Sequence, residues 1–200
     1  LEALGDVLAG TDALIIEDDG VGGVCAAPRI SLGRRFPGRV IHVLSFSKTH
    51  GPDLRLAVLS SSATLVEQIQ SYRSFSSGWT SRILQAATAW LLTDPATAAT
   101  VAWARDVYKR RRELLAEELG RRGVAVRAGH GLSVLIPVTQ ESYAMVTLAS
   151  RGIAVNAGAK FSPGATNAIR LATSVLPEER AAQVAESIAL AASPERTNSW

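Results

Sequence analysis

Three apolar runs set the rhythm of the first sixty residues. "ALIIED" (13–18), "VIHVLSFS" (40–47) and "LRLAVLS" (54–60) are short, rich in Val, Ile and Leu, and end in small or charged residues. Such runs predict strands, and unbroken apolar strands set among helices predict a largely parallel sheet covered on both faces. "LEALGDVLAG" predicts a helix leading into the first run, and a glycine-rich stretch, "DDGVGGVCAAPRISLGRRFPGR", separates the first run from the second. The period then changes. "SATLVEQIQSYRSF" predicts a helix with Ser62 or Thr64 as N-cap, and "SRILQAATAWLLTD" predicts another that stops at Pro95. A long amphipathic helix follows over about 96–122, with Gly123 as its terminator.

Beyond Gly123 the elements become shorter. "VAVRAG", "GLSVLIPV", "IAVN" and "AIRLATS" predict strands, and "QESYAMVTLASR" and "PEERAAQVAESIALAA" predict helices around them. That texture predicts a small α/β subdomain joined to the first part by the long helix, with the tail "SPERTNSW" expected to be disordered. The class is therefore α/β.

The chain has 200 residues, enough for one good core and a smaller appended subdomain. No apolar run is long enough to span a bilayer and nothing at the start resembles a signal sequence, which points away from a membrane, while a lone cysteine fits a reducing cytoplasm. The single cysteine, Cys25, cannot form an internal disulfide. A net charge of +3 is too small and too dispersed for a nucleic-acid surface, so the run "KRRRE" (109–113) is read as a solvated helix face. His42, His50 and His130 have no metal-ligand spacing, and no metal is expected.

Arginine outnumbers lysine eighteen to three, so a lysine between two apolar strands is unusual here. That residue is Lys48. Imine chemistry requires a primary amine, which a guanidinium cannot supply. Asp18 and Asp19 close the first strand, Lys48 follows the second and Arg55 opens the third. Strand ends of this kind meet in a shared crevice. An acid, an amine and a guanidinium brought together there suit a ligand with a basic ring nitrogen, an aldehyde and a phosphate. Pyridoxal 5′-phosphate has all three.

"SFSKTHGPDLRLA" (45–57) resembles the lysine segment of fold-type I pyridoxal-phosphate enzymes, the class I/II aminotransferases, and "IIEDD" (15–19) resembles the segment carrying their cofactor aspartate. "GIAVNAGAKFSP" and "NAIRLATS" resemble the family's small-domain signature. Within the family the chain is most similar to the aminotransferase-like domain of GntR/MocR-type bacterial regulators. The resemblance implies residues 1–95 as part of the cofactor-binding large domain, 96–122 as the connecting helix, 123–192 as the small subdomain and 193–200 as a tail. It implies Lys48 as the covalent attachment point and proton shuttle, Asp18 as partner of the ring nitrogen, Arg55 with Ser45 and Ser47 on the phosphate, and Arg170 on the substrate carboxylate. It also implies a homodimer in which the loop of Trp79, Thr80 and Ser81 approaches the neighbouring subunit's cofactor.

For each residue a plainer role competes: a snorkelling lysine, solvated strand-end acids, hydroxyls serving local backbone, a structural ion pair for Arg170. Two departures from the family pattern stand out. Gly20 lies near the position where a tyrosine usually follows the aspartate, and the family's phosphate loop, ring-stacking aromatic and ring-oxygen asparagine would precede Leu1. The chain accordingly reads as an N-terminally truncated fragment. Two functions fit: amino transfer between an amino acid and a 2-oxo acid, or sensing of the cofactor and an amino-acid-like effector by a regulator that reaches DNA only through an N-terminal domain outside this chain.

Overall fold

A computed structural model describes residues 2–161 and 167–193. The chain divides into two compact units between Trp103 and Ala104. Most of the expected tail, from residue 194 onward, lies outside the described residues.

The first unit opens with α1 (Glu2–Ala9), followed by β1 (Ile15–Asp19), β2 (Val40–Ser45) and β3 (Ala57–Ser60), then α2 (Ala63–Ser74), α3 (Arg82–Thr93) and the start of α4 (Pro95–Arg121). The three strands form one sheet in the order β1–β2–β3. β1 and β2 are parallel, with Asp18 opposite Val43, whereas β2 and β3 are antiparallel, with Ser45 opposite Ala57. Connection length explains the difference. Residues 20–39 are enough for a crossover, but 46–56 contain only the 3-10 turn Pro52–Leu54, which suits an antiparallel return.

A glycine-rich connection covers one face of this sheet. Leu32 and Phe36 from that connection pack on Ile15 and Val40, with Leu8 of α1 against them. The other face is not covered as the apolar runs predicted. Ile16, which alternates away from Ile15, is 70% exposed.

Pro95 does not merely stop α3; it starts α4. Proline costs nothing at the first helical position, and Asp94 caps the helix by accepting from the backbone N–H and hydroxyl of Thr97 at 2.7 and 2.8 Å. Those bonds, the hydroxyl first, hold the Asp94 carboxyl below its ordinary pKa. Ser81 caps α3 by accepting from Leu84 N–H, whereas Ser62 precedes α2 without a side-chain cap bond.

The second unit contains the rest of α4, then β4 (Ser133–Pro137), α5 (Glu141–Ala149), β5 (Asn156–Ala157), β6 (Ala168–Ala172) and α6 (Ala181–Ala192). Its sheet is antiparallel in the order β4–β6–β5. Val134, Ile136, Ile169 and Leu171 turn one face of the sheet into a core with Leu115, Leu119, Leu148 and Ile188. Most of the described apolar core is here.

Two predicted strands in this unit are not strands. "VAVRAG" and most of "IAVN" lie outside the sheet because their first N–H groups are already used. Gly123 and Gly152 adopt φ of 78° and 72°, and the N–H groups of Val124 and Ile153 return to the carbonyls of Leu119 and Leu148 at 3.0 and 2.9 Å. This is the helix-ending arrangement in which a left-handed glycine is followed by an apolar residue that tucks inward. Both valine and isoleucine are buried, so the apolar pattern marked core contact rather than strand pairing.

The basic run of α4 is a solvated face only in part: Lys109, Arg110 and Glu113 are exposed, whereas Arg111 is half-buried and Arg112 is buried. Arg110 pairs with Glu178 at 2.8 Å, Arg111 donates to the Ser174 carbonyl, and Arg112, only 1% exposed, donates to the Gly131 carbonyl at 2.7 Å. Arg110 and Arg111 thus hold the connection after β6, and Arg112 holds the turn before β4. Further along, Arg122 and Arg121 bind Glu118 and hold its carboxyl below the ordinary range, the Arg122 hydrogen bond contributing most.

One close approach governs the open face of the second sheet. A Cβ on Gly158 would sit 2.4 Å from the Ala168 carbonyl oxygen, so only glycine lets the 3-10 turn Gly158–Lys160 lie against β6. Gly158→Ala is expected to lower stability by roughly 1–3 kcal/mol, measurable as a reduced denaturation midpoint with unchanged slope.

Candidate functional site

The pleat of β1 separates its three acids. Glu17 accepts from the backbone N–H of Leu32 and the hydroxyl of Ser31, both at 2.7 Å. Asp19 accepts from Gly22 N–H at 2.7 Å and faces the Arg29 guanidinium at 3.4 Å. Both acids therefore serve the glycine-rich connection. Asp18 alternates to the opposite face and is exposed, and its carboxylate has no hydrogen bond or ion pair with another described residue. Its register partner is Val43, which places it on the same face as Ser45, two residues further along β2.

Lys48 sits in the turn that follows β2. Phe46 is buried and its carbonyl accepts from the N–H groups of Thr49 and His50 at 3.2 and 2.9 Å. The Thr49 hydroxyl lies 2.7 Å from His50 Nδ1, and the His50 ring meets Phe46 edge-on at 5.6 Å. The connection from β1 presses on this turn. A Cβ on Gly22, whose φ is 58°, would lie 3.1 Å from the Thr49 methyl, and one on Gly23 would lie 3.7 Å from it. The lysine turn is thus fixed from below by Phe46 and from the side by the two glycines. The Lys48 side chain, expected in an apolar setting, instead projects exposed from this support, without a partner among the described residues.

Arg55 lies two residues before β3. Because β3 is antiparallel to β2, its beginning lies beside the end of β2, so Arg55 approaches from a strand start and still reaches the same end of the sheet. It is also the one non-glycine residue with positive φ among the described residues, at φ 47° and ψ 36°. A left-handed conformation costs a residue with a Cβ about 1–2 kcal/mol. Nothing local offsets it: the Arg55 side chain is exposed and unpaired within the described residues.

The two serines differ. Ser45 Oγ accepts from Ser47 N–H at 3.3 Å, so it is Ser45 that serves local backbone, while the Ser47 hydroxyl has no bond to a described residue. Asp18, Ser45, Ser47, Lys48 and Arg55 therefore all lie at one end of the first unit's sheet.

Arg170 belongs to the second unit, on the face of β6 opposite the core. No acid pairs with it among the described residues. Its guanidinium carbon lies 4.5 Å from the Phe161 ring centroid, so aromatic stacking stands where an ion pair was the plainer expectation.

Trp79 is 87% exposed, not packed. The His42 ring, on the central strand β2, is half-buried with no hydrogen bond to a described residue, and His130 is in an exposed turn. No cluster that could hold a metal ion occurs among the described residues, and none of their helices is long and apolar enough to cross a membrane. Sequence reasoning missed the tethering roles of Glu17 and Asp19, the Thr49–His50 contact and the Phe161 stack. Strand alternation could have separated Asp18 from its two neighbours; nothing in the sequence signalled the stack.

The sequence profile of the family "Aminotransferase class I and II" matches residues 4–188. A vitamin B6 salvage pathway transcriptional repressor, PtsJ, from Salmonella typhimurium is 33% identical over 136 residues, covering 67% of this chain and 32% of the repressor. Among solved structures, aspartate aminotransferase from Thermus thermophilus with maleate is similar with a TM-score of 0.83 at 27% identity, over 95% of this chain and 51% of that one. A kynurenine aminotransferase from Pyrococcus horikoshii, in complex with PMP, shares the fold with a TM-score of 0.84 at 18% identity, over 99% and 52%. This chain thus spans about a third of the repressor's length and about half that of the aminotransferases. On the profile match and the repressor alignment together, the chain belongs to the class I and II aminotransferase family.

Proposed function

We propose that this chain binds pyridoxal 5′-phosphate at the Lys48 end of the first sheet and, within the intact protein, performs amino transfer between an amino acid and a 2-oxo acid. One observation carries the reading. Three charged side chains of complementary chemistry reach one sheet end from three strands, all exposed and unpaired among the described residues, and one of them stands on a strained backbone. Strain without a local return is characteristic of a residue held ready for a ligand.

The donor set fits the cofactor group by group. Lys48 Nζ is the primary amine that would hold the aldehyde covalently. Asp18 would accept a hydrogen bond from the pyridine N–H and keep that nitrogen protonated, a charge-assisted contact worth on the order of 1.5–3 kcal/mol. Arg55 would bind the phosphate in the bidentate manner open to a guanidinium, with the Ser47 hydroxyl a further donor and Ser45 kept to the turn. Bound there, the cofactor would supply an electron sink for charge developing at the substrate Cα. Lys48 Nζ, once displaced by the substrate amine, would take the proton from that Cα and return it. Arg170 would bind the substrate carboxylate. PMP in the Pyrococcus enzyme, the amine form of this cofactor, supports the choice of ligand.

On this reading residues 1–95 belong to the cofactor-binding large domain and 123–192 form the small subdomain. The protein acts in the cytoplasm as a homodimer. Exposed Phe75, Trp79 and Ile83 are available for subunit contact.

The repressor relative favours a second reading, in which the domain senses the cofactor and an amino-acid-like effector for a regulator whose DNA contacts lie outside this chain. Gly20, in place of a phenol donor to the cofactor ring, favours it too.

Borohydride reduction of the intact protein with pyridoxal phosphate, followed by peptide mapping, is expected to label Lys48, and Lys48→Ala to abolish the label; a label on Lys109 or Lys160 would refute the assignment. Adding amino acids to unreduced protein separates the two functions. Conversion of bound cofactor to its amine form supports transfer, whereas a spectral shift without conversion supports sensing. Arg55→Gly is expected to stabilise the cofactor-free protein by about 1 kcal/mol while weakening cofactor binding at least tenfold. Unchanged binding would remove Arg55 from the site.

A further inference from the structure

We propose that Phe161 and Asn156 complete the carboxylate receptor around Arg170: Phe161 holds the guanidinium plane, and Asn156 adds a donor from the neighbouring strand. The inference rests on the reading of Arg170 as the residue that takes the substrate carboxylate.

The sheet register brings these groups together. Arg170 pairs with Leu135 of β4 on one side and Asn156 of β5 on the other. Directly opposed residues on adjacent strands share a face, with Cβ atoms about 4.5–5.5 Å apart. Leu135, Arg170 and Asn156 therefore form a row across the face of the sheet that turns away from the core. Arg170 is half-buried, and Asn156 is exposed, its side-chain amide making no hydrogen bond to a described residue.

Phe161 is held over this row by backbone, not by chance contact. Gly158 lies so close to β6 that a Cβ would meet the Ala168 carbonyl at 2.4 Å. Ala159 N–H donates to Glu141 Oε2 at 3.0 Å, and Phe161 N–H closes the turn onto the Gly158 carbonyl at 2.8 Å. The ring therefore has a fixed place over the guanidinium, whose carbon is 4.5 Å from its centroid.

The chemistry follows from the shape of the cation. A guanidinium stacked on an aromatic ring is occupied through its face, and its N–H donors lie at the edges, still free. A carboxylate offers about four lone-pair sites, so it can take two donors from the arginine and one from an amide beside it. Without the ring the guanidinium would rotate among several rotamers. A half-buried cation with no acid beside it among the described residues, one face stacked and an unused amide on the next strand, is complementary to a carboxylate supplied by a ligand.

The test is calorimetric titration of maleate, a dicarboxylate that cannot be transaminated, into the intact protein with and without cofactor. Thermal stability is checked for each variant, and a variant that does not fold is replaced by its partner at the same position. Phe161→Leu is expected to weaken maleate about threefold to tenfold, with Phe161→Tyr within about twofold of the parent. Asn156→Ala should weaken it about threefold, and Asn156→Asp more than about tenfold by setting a like charge beside the ligand. Steady-state assays should show the change in KM and not in kcat. If Arg170→Lys weakens maleate while every Phe161 and Asn156 variant binds like the parent, the inference is overturned and the Arg170 reading stands. If the parent does not bind maleate, or Arg170→Lys binds it equally well, the Arg170 reading itself fails.

Discussion

Glu17 and Asp19 point to the same side of β1, and their carboxylates hold the connection of residues 20–39 through Ser31, Leu32, Gly22 and Arg29. That tether is one of the two supports of the lysine end of the sheet, beside Phe46. It brings Gly22 and Gly23 against the Thr49 methyl and so braces the turn from which Lys48 projects. It also occupies two of the three acids in "EDD", leaving Asp18 on the other face as the carboxylate available to a ligand. A single pleat period thus divides structural acids from the one proposed to be functional.

Arg55 shows the same division in the backbone. Glycine would be the easier residue at φ 47°, yet the chain places an arginine there and leaves its guanidinium exposed. The strain is small against the stability of a domain but large for one surface residue, and it acquires a purpose if a phosphate completes the site. The second unit follows a parallel logic. Gly158 makes possible a backbone approach that no other residue allows, and the gain is an aromatic ring set over Arg170.

Much of the architecture was legible because it follows from short-range rules. Apolar runs located β1, β2 and β3, and helical periodicity located α2 to α6, with Gly123 marking the end of α4. The place of Lys48 between β2 and β3 was legible from the apolar runs on either side, and its rarity in an arginine-rich chain is what singled it out for the proposed role. What escaped depends on tertiary partners. The apolar residues after Gly123 and Gly152 are buried by helix-closing bonds rather than by strand pairing. Within the "RRR" run Arg111 and Arg112 turn inward onto the Ser174 and Gly131 carbonyls, while exposed Arg110 pairs with Glu178, a division that no charge pattern reveals. The Arg170–Phe161 stack joins residues nine positions apart that only the close packing of a turn on β6 brings together.

The division between Asp18 and Asp19 gives the most direct test of the account. Cofactor dissociation constants should be measured on the intact protein carrying Asp18→Asn or Asp19→Asn. Loss of the charge-assisted contact at Asp18 is expected to weaken pyridoxal phosphate by about tenfold to a hundredfold. Asp19→Asn is expected to lower thermal stability while leaving affinity within about threefold. An Asp18→Asn protein that binds the cofactor as tightly as the parent, or an affinity loss confined to Asp19→Asn, would contradict the account.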